Sequence, residues 1–251
     1  METICREFSD LLKPRLWSDR KNITPIAGDG TRLRWFPLAL RSASATTSLN
    51  LIERSMAPFL RPVRSPLDPA TITGMKKNFS EALPKTLRNS SISLNTPRTP
   101  AFAEARRIGL IDLLKSRTLR EFAATVSGHE LTDEAGMQLI RYRQGDYVGP
   151  HNDHHPEEPH LRNGYIDLQI TLTSAGVARQ YLLYEDHGFF NQSCNIGIAS
   201  GVSVSMLPFW HQVTPLEVKP GRETDAFRWL LLASFEIKKT SVPTPQKRRS
   251  M

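Results

Sequence analysis

Only two cysteines, Cys5 and Cys194, occur in the 251 residues of the chain. Their spacing matches neither a disulfide framework nor a zinc knuckle, which excludes a disulfide-held secreted scaffold and points to a reducing, cytoplasmic setting. No apolar run approaches the ~20 residues that a membrane-spanning helix needs. The opening Met1-Glu2-Thr3-Ile4-Cys5-Arg6-Glu7 lacks the basic-then-apolar layout of a secretory signal. Long blocks of like charge are also missing, although the net charge is +8. Residues 1–120 hold 21 Lys/Arg against 10 Asp/Glu, residues 121–240 hold 9 against 15, and the tail holds 3 against none. Such asymmetry can mark a surface for nucleic acid, an acidic protein or anionic lipid. No phosphate-binding or base-reading motif accompanies it, so a solvated basic face is the simpler reading.

Apolar residues at 39% and charged residues at 23% are enough for a globular core. Prolines at 58, 62, 66, 69, 84, 97 and 100 break the segment before Ala101, each removing an amide donor and fixing a backbone angle. Residues 1–100 are therefore expected to be a partly irregular, basic extension, with short helices around Phe8 to Trp17 and Ile72 to Leu87. From Ala101 the pattern changes. Leu110, Ile111, Leu113, Leu114, Leu119, Phe122 and Ala123 recur at helical spacing, predicting one or two amphipathic helices. Strand-like stretches follow at Met137–Tyr142, Tyr165–Leu172, Gln180–Tyr184, Val202–Leu207, Trp210–Val218 and Phe227–Phe235. Helices followed by some six to eight strands predict an α+β domain over residues 101–240 built on an antiparallel sandwich or barrel, with 241–251 a flexible basic tail.

The chemistry is concentrated in a His-x-Asp triplet, His151-Asn152-Asp153. In an extended chain positions 151 and 153 project to the same side, so an imidazole and a carboxylate can converge on one ion. His211, 60 residues downstream in a strand-like stretch, offers a third ligand. Two histidines and one carboxylate on one face of a metal leave the opposite positions open, an arrangement that suits iron(II) and oxygen chemistry. Alone, His211 reads better as a histidine packed beside Trp210; the pairing reverses that preference. Arg228 stands amid the apolar run Ala226-Phe227-Arg228-Trp229-Leu230-Leu231-Leu232. If it faces the interior it requires an anionic partner, and a dicarboxylic acid would suit its fork. Alternation leaves inward and outward evenly matched.

The stretch from Ala101 to Phe235 resembles the 2-oxoglutarate and iron(II)-dependent dioxygenase superfamily, nearest to its prolyl-hydroxylase-like branch. The matching features are Tyr142-x-x-Gly145 leading to His151-x-Asp153, then His211-x-Val213-x-Pro215, then Arg228 opening an apolar strand. The resemblance implies a double-stranded β-helix (jelly-roll) core flanked by helices. It implies iron(II) on His151, Asp153 and His211, and 2-oxoglutarate held by Arg228 and Tyr142. Dioxygen is then the second cosubstrate, with ascorbate a candidate reductant. The implied reaction is hydroxylation of an unactivated carbon of a small molecule or amino-acid side chain, releasing succinate and carbon dioxide.

Two features depart from the pattern. Arg228 follows His211 by seventeen residues, more than the family usually shows, whereas Arg222 stands nearer the usual distance but within a turn-like Lys219-Pro220-Gly221-Arg222. Arg228 with a lengthened hairpin is preferred and Arg222 is the alternative. The Gly-Gly-x-Thr signature of the prolyl-hydroxylase branch is absent near Ala178-Arg179-Gln180-Tyr181, so proline hydroxylation is not implied. Two rivals remain. The alkylated-base repair dioxygenases share the fold and triad but usually carry a second arginine six positions after the first, where this chain has Ser234. A non-catalytic metal-binding β-barrel would make the triad fortuitous. His154, His155 and His160 read as a polar loop over the site; the resemblance of Asp153-His154-His155 to phosphoesterase motifs lacks supporting aspartates. The expected partner is a small-molecule or peptide substrate, with nucleic acid not favoured and no membrane.

Overall fold

The structure is a computed structural model that describes residues 25–26, 33–37, 42–64, 86–153, 164–186, 189–197, 200–207 and 209–238. The helix expected around Phe8 to Trp17 lies outside these residues, as do His154, His155, His160 and the tail from 241. So does nearly all of the segment expected as a helix around Ile72 to Leu87, whose last residue opens a strand.

Fourteen strands are formed among the described residues: β1 Pro25–Ile26, β2 Leu33–Pro37, β3 Arg61–Arg64, β4 Leu87–Ser93, β5 Leu131–Tyr142, β6 Tyr147–His151, β7 Tyr165–Thr173, β8 Val177–Arg179, β9 Tyr181–Asp186, β10 Phe189–Asn195, β11 Gly201–Leu207, β12 His211–Val213, β13 Glu217–Val218 and β14 Arg228–Ile237. Twelve make one antiparallel sheet in the order β1-β2-β11-β7-β14-β5-β4-β6-β12-β9-β10, with β3 on β4. β4 turns the corner of this sheet: Ser90–Ser93 pair with β5, while Leu87 and Arg88 pair with β6. The sheet thereby curls over itself as a double-stranded β-helix. β2 and β4, from the proline-broken first hundred residues, are strands of this same sheet.

Four α-helices are formed among the described residues: α1 Ser42–Met56, α2 Pro100–Arg107, α3 Leu110–Leu114 and α4 Arg117–Ser127. The run from Ala101 thus makes three short helices rather than one or two. Gly109 at φ +83 breaks the first from the second, and Ser116 caps α4 by accepting from the Leu119 amide.

The period-2 alternation of the long strands decides what faces the interior of the curl. On β14, Trp229, Leu231, Ala233 and Phe235 join the core under the helices with Phe102, Leu110, Leu114 and Phe122. Ile166, Leu168, Ile170 and Leu172 of β7 do the same. The alternate residues, Arg228, Leu230, Leu232 and Ser234 on β14 and Tyr165, Asp167 and Gln169 on β7, line a cavity of about 410 Å³. Both faces of β14 are covered at its first residues, so Arg228 has no route to solvent.

Glu53 on α1 fastens the helical layer to the sheet. It accepts from Trp229 Nε1 at 2.7 Å and Arg141 Nη1 at 2.8 Å, with Arg143 Nη2 at 3.3 Å. Trp229 is fully buried, and burial pushes the Arg141 guanidinium below its usual range. Glu53→Ala leaves a buried indole donor and a part-buried guanidinium without their acceptor. It is expected to lower unfolding free energy by about 2–4 kcal/mol in urea titrations, with Glu53→Gln closer to the parent.

Candidate metal centre

β5 passes into β6 through a tight turn at Arg143-Gln144-Gly145-Asp146. Gly145 takes φ +75, and Asp146 Oδ2 accepts from the Arg143 amide at 2.8 Å. The turn explains the Tyr-x-x-Gly spacing: Tyr142 ends one strand on the inward face, and β6 returns to deliver His151. The next constraint is Gly149, whose amide bonds to the Thr86 carbonyl at 2.7 Å. A Cβ there would overlap Thr86 Oγ1 and lie 3.1 Å from the Thr86 carbonyl oxygen.

The strand stops at His151, which corrects the extended His-x-Asp geometry expected from the sequence. Asp153 lies beyond it at φ +51, the only non-glycine residue with positive φ among those described. Aspartate tolerates this left-handed region better than most residues. The turn still brings its carboxylate back to the histidines. Oδ2 of Asp153 lies 3.4 Å from His151 Nε2 and 3.6 Å from His211 Nε2. β12 pairs His211 directly with His151, and the two ring centroids are 4.1 Å apart. The three ligand atoms lie within 4.8 Å of one another.

The hydrogen bonds around the rings fix their chemistry. His151 Nδ1 lies 2.8 Å from the Gly149 carbonyl, and His211 Nδ1 lies 2.9 Å from the Phe209 carbonyl. A carbonyl only accepts, so each Nδ1 donates to it and Nε2, turned toward Asp153, is the ring nitrogen available to a metal. Two Nε2 atoms and a carboxylate oxygen thus converge on one point. That donor set calls for a cation, and it has the backbone-carbonyl support typical of metal-bound histidines.

At another point on the same cavity wall, Arg228 is 1% exposed. Its Nε donates to Gln180 Oε1 at 2.7 Å, and its guanidinium carbon sits 4.2 Å above the ring of Tyr142, its direct neighbour across the sheet. Among the described residues, Nη1 and Nη2 have no hydrogen-bond partner. Burial lowers the guanidinium to about 10, so it remains cationic at neutral pH. Burial likewise pushes the Tyr142 hydroxyl above its usual range, which keeps it a protonated donor. A fully buried cation facing a cavity with two free donors fits a bidentate carboxylate. Arg222, the alternative, is exposed and ion-paired with Asp225 in a surface turn.

Gln180 was not singled out by the sequence. It is fully buried, and its Nε2 donates to the carbonyls of Asp146 at 3.2 Å and Thr214 at 2.9 Å. These bonds leave only its oxygen to face Arg228. Nothing local marks such a glutamine, because its three partners lie 34 or more positions away.

No protein-family model and no curated protein matches the chain. Its fold is that of a Pseudomonas putida prolyl-4-hydroxylase structure, matched at a TM-score of 0.50 and 10% identity over 92% of this chain and 99% of that one. An oxidoreductase of the 2OG-Fe(II) oxygenase family from Burkholderia pseudomallei aligns at a TM-score of 0.44 and 14% identity, over 70% of this chain and 82% of that one. EvdO2 from Micromonospora carbonacea var. aurantiaca, complexed with 2-oxoglutarate, aligns at 0.38 and 14%, over 87% and 91%. By fold the chain thus stands with prolyl-4-hydroxylase among the double-stranded β-helix proteins, and it carries a His-Asp-His cluster able to hold a metal. No described helix is long and apolar enough to cross a membrane.

Proposed function

We propose that the chain is an iron(II)- and 2-oxoglutarate-dependent oxygenase that hydroxylates an unactivated carbon of a small molecule or amino-acid side chain. The observation that carries this reading is the pairing, in one cavity, of a three-ligand metal cluster with a buried guanidinium whose Nη atoms have no hydrogen-bond partner among the described residues. His151, Asp153 and His211 would hold the iron, and Arg228 would hold the far carboxylate of 2-oxoglutarate. When bound, iron and 2-oxoglutarate supply the oxidising power, with dioxygen consumed and succinate and carbon dioxide released.

The chain's own residues do the rest. The Gly149 and Phe209 carbonyls keep both imidazoles in the Nδ1-H tautomer, so that Nε2 donates to metal. Tyr142 supports the Arg228 guanidinium on its ring face and offers a hydroxyl donor. Leu230, Val148 and Val213 shut water out around Arg228, which strengthens the charge interaction it makes. Cytoplasmic location and ascorbate as reductant belong to the same proposal.

Conversion of 2-oxoglutarate to succinate by the purified chain tests the reading. It is expected to require iron(II) and to stop when a chelator is added; no succinate under any metal condition would return the chain to the non-catalytic barrels. Demethylation of alkylated nucleic acid is less well supported, because the position six residues after Arg228 carries Ser234, hydrogen-bonded to an acid, Asp167.

Gln180 gives a separate expectation. Gln180→Glu sets a carboxylate against Arg228, where it competes with the cosubstrate. 2-Oxoglutarate affinity is expected to fall ~10–100-fold by calorimetry, as befits a buried cation whose charge is already met by a neighbouring carboxylate. The thermal midpoint should fall, because a carboxylate cannot donate to the Asp146 and Thr214 carbonyls that the Gln180 amide satisfies, and this loss more than offsets the ion pair gained with Arg228.

A further inference from the structure

Along β14 the residues turned to the cavity run Arg228, Leu230, Leu232, Ser234, so Leu232 stands ~13 Å along the strand from the guanidinium's own residue. Leu232 has a glutamine directly across from it on each side, Gln138 of β5 and Gln169 of β7. All three line the cavity. Neighbouring strands set the two glutamine backbones roughly 10 Å apart, so one carboxamide stands on either side of an apolar floor. That floor continues one row toward Arg228 as Leu230 and Ile140, which pair across the same two strands. At the end of β7 beyond Gln169, the Tyr165 hydroxyl donates to the Asp153 carbonyl at 3.1 Å, which ties this part of the wall to the metal cluster.

Neither glutamine side chain makes a hydrogen bond with a described residue. The same holds for two cavity-lining residues of β4, Ser91, which pairs with Ile140, and Asn89, which is only 7% exposed. Asp167, one row past Gln169, is engaged by Ser234 Oγ at 2.5 Å and stands outside this set. Three carboxamides and a hydroxyl thus face one cavity with their hydrogen-bonding capacity unmet among the described residues, and none of the four carries a charge.

We propose that this row receives the substrate through an uncharged carboxamide, laid flat on Leu232 with its edges on Gln138 and Gln169. This deepens the oxygenase reading and rests on it for the identity of the bound group as substrate. A glutamine amide sets N–H donors beside an acceptor oxygen, and a carboxamide returns both kinds of group in one plane. A carboxylate offers acceptors alone and an ammonium donors alone, so each leaves half of the row unmet, at a cost to binding. Neither ion finds a counter-charge within the row to offset its lost hydration. A hydroxyl meets one glutamine and leaves the other without a partner. Asn89 and Ser91 extend the same neutral surface to β4 for the remainder of the molecule, so the target carbon can be held over the metal.

The test uses the full chain loaded with zinc and 2-oxoglutarate, so that no turnover occurs. Pentanamide, pentanol, pentanoate and pentylamine are titrated in and followed by ligand-observed NMR. Pentanamide is expected to bind at least ~10-fold more tightly than each congener, the worth of one to two hydrogen bonds. Gln138→Met and Gln169→Met keep the length of the side chain and remove its carboxamide. Each should weaken pentanamide ~5–10-fold while leaving pentanol and 2-oxoglutarate affinities as in the parent. Any congener binding as tightly as pentanamide, pentanamide affinity unchanged in both variants, or no pentanamide binding to a chain that holds 2-oxoglutarate would overturn the proposal. If neither variant folds, the comparison of the four probes on the parent protein decides alone. Failure of the oxygenase reading would appear separately, as absence of 2-oxoglutarate binding to the zinc form, and would leave the amide measurement interpretable.

Discussion

His211→Ala is expected to lose iron(II) binding by at least ~1000-fold, well beyond the ~10–100-fold typical of changes one shell out from a metal, and to form no succinate. Three donors meet at the cluster, and the remaining pair, His151 and Asp153, lie two positions apart where β6 runs into its loop. Only His211 would supply a ligand from a different strand, β12, which pairs it directly with His151. Metal titration by calorimetry checks the first part and a succinate assay the second. The fold should persist, because His211 sits on a three-residue strand whose backbone pairs with β6 and β9 survive the change. A variant with normal metal affinity would rule the cluster out as the metal site.

Arg228→Ala is expected to weaken 2-oxoglutarate binding by ~100–1000-fold, the equivalent of the 3–5 kcal/mol at stake when one partner of a buried charge pair is removed, while leaving metal affinity within a few-fold. The two Nη donors are the free groups of the fork and point to a carboxylate. Arg228→Lys should fall between, because an ammonium keeps the charge but not the planar, two-pronged geometry or the stack on Tyr142. Arg222→Ala should leave 2-oxoglutarate affinity unchanged, as its guanidinium is held by Asp225 at the surface. Calorimetry of 2-oxoglutarate against the zinc-loaded variants separates these outcomes. The alanine variant also relieves an unpaired buried charge, so its thermal midpoint in the absence of cosubstrate should not drop sharply.

The fold class was legible in the sequence where the local signal was strong. The strands expected at Tyr165–Leu172, Val202–Leu207 and Phe227–Phe235 lie within one or two residues of β7, β11 and β14. Their apolar alternate residues all face one helical layer. β5 begins at Leu131, six residues before the strand expected from Met137, because its first half is set by pairing with the end of β14 rather than by composition. β4 and β6 were not expected as strands. β4 reads Leu-Arg-Asn-Ser-Ser-Ile-Ser, polar at five of its seven positions, and is held by strands on either side rather than by its own preference. The Trp210–Val218 stretch divides into β12 and β13, which pair in different sheets.

For the site, the residue types His, Asp and Arg were visible because charged and metal-binding groups in apolar strands are costly without a purpose. The convergence of His151, Asp153 and His211 was read as a flat, extended presentation, whereas a left-handed turn at Asp153 delivers it. The inward direction of Arg228 could not be read from alternation because both faces of β14 are buried, one by helices and one by the closed curl. Gln180 matters through partners distant in sequence, and no local pattern carries that information.

The most direct test is a crystal structure of the chain with manganese(II) and 2-oxoglutarate. The expected result is one metal ion on His151 Nε2, His211 Nε2 and the Asp153 carboxylate, with the far carboxylate of 2-oxoglutarate on Nη1 and Nη2 of Arg228. A metal bound elsewhere, or 2-oxoglutarate anchored away from Arg228, would contradict this assignment.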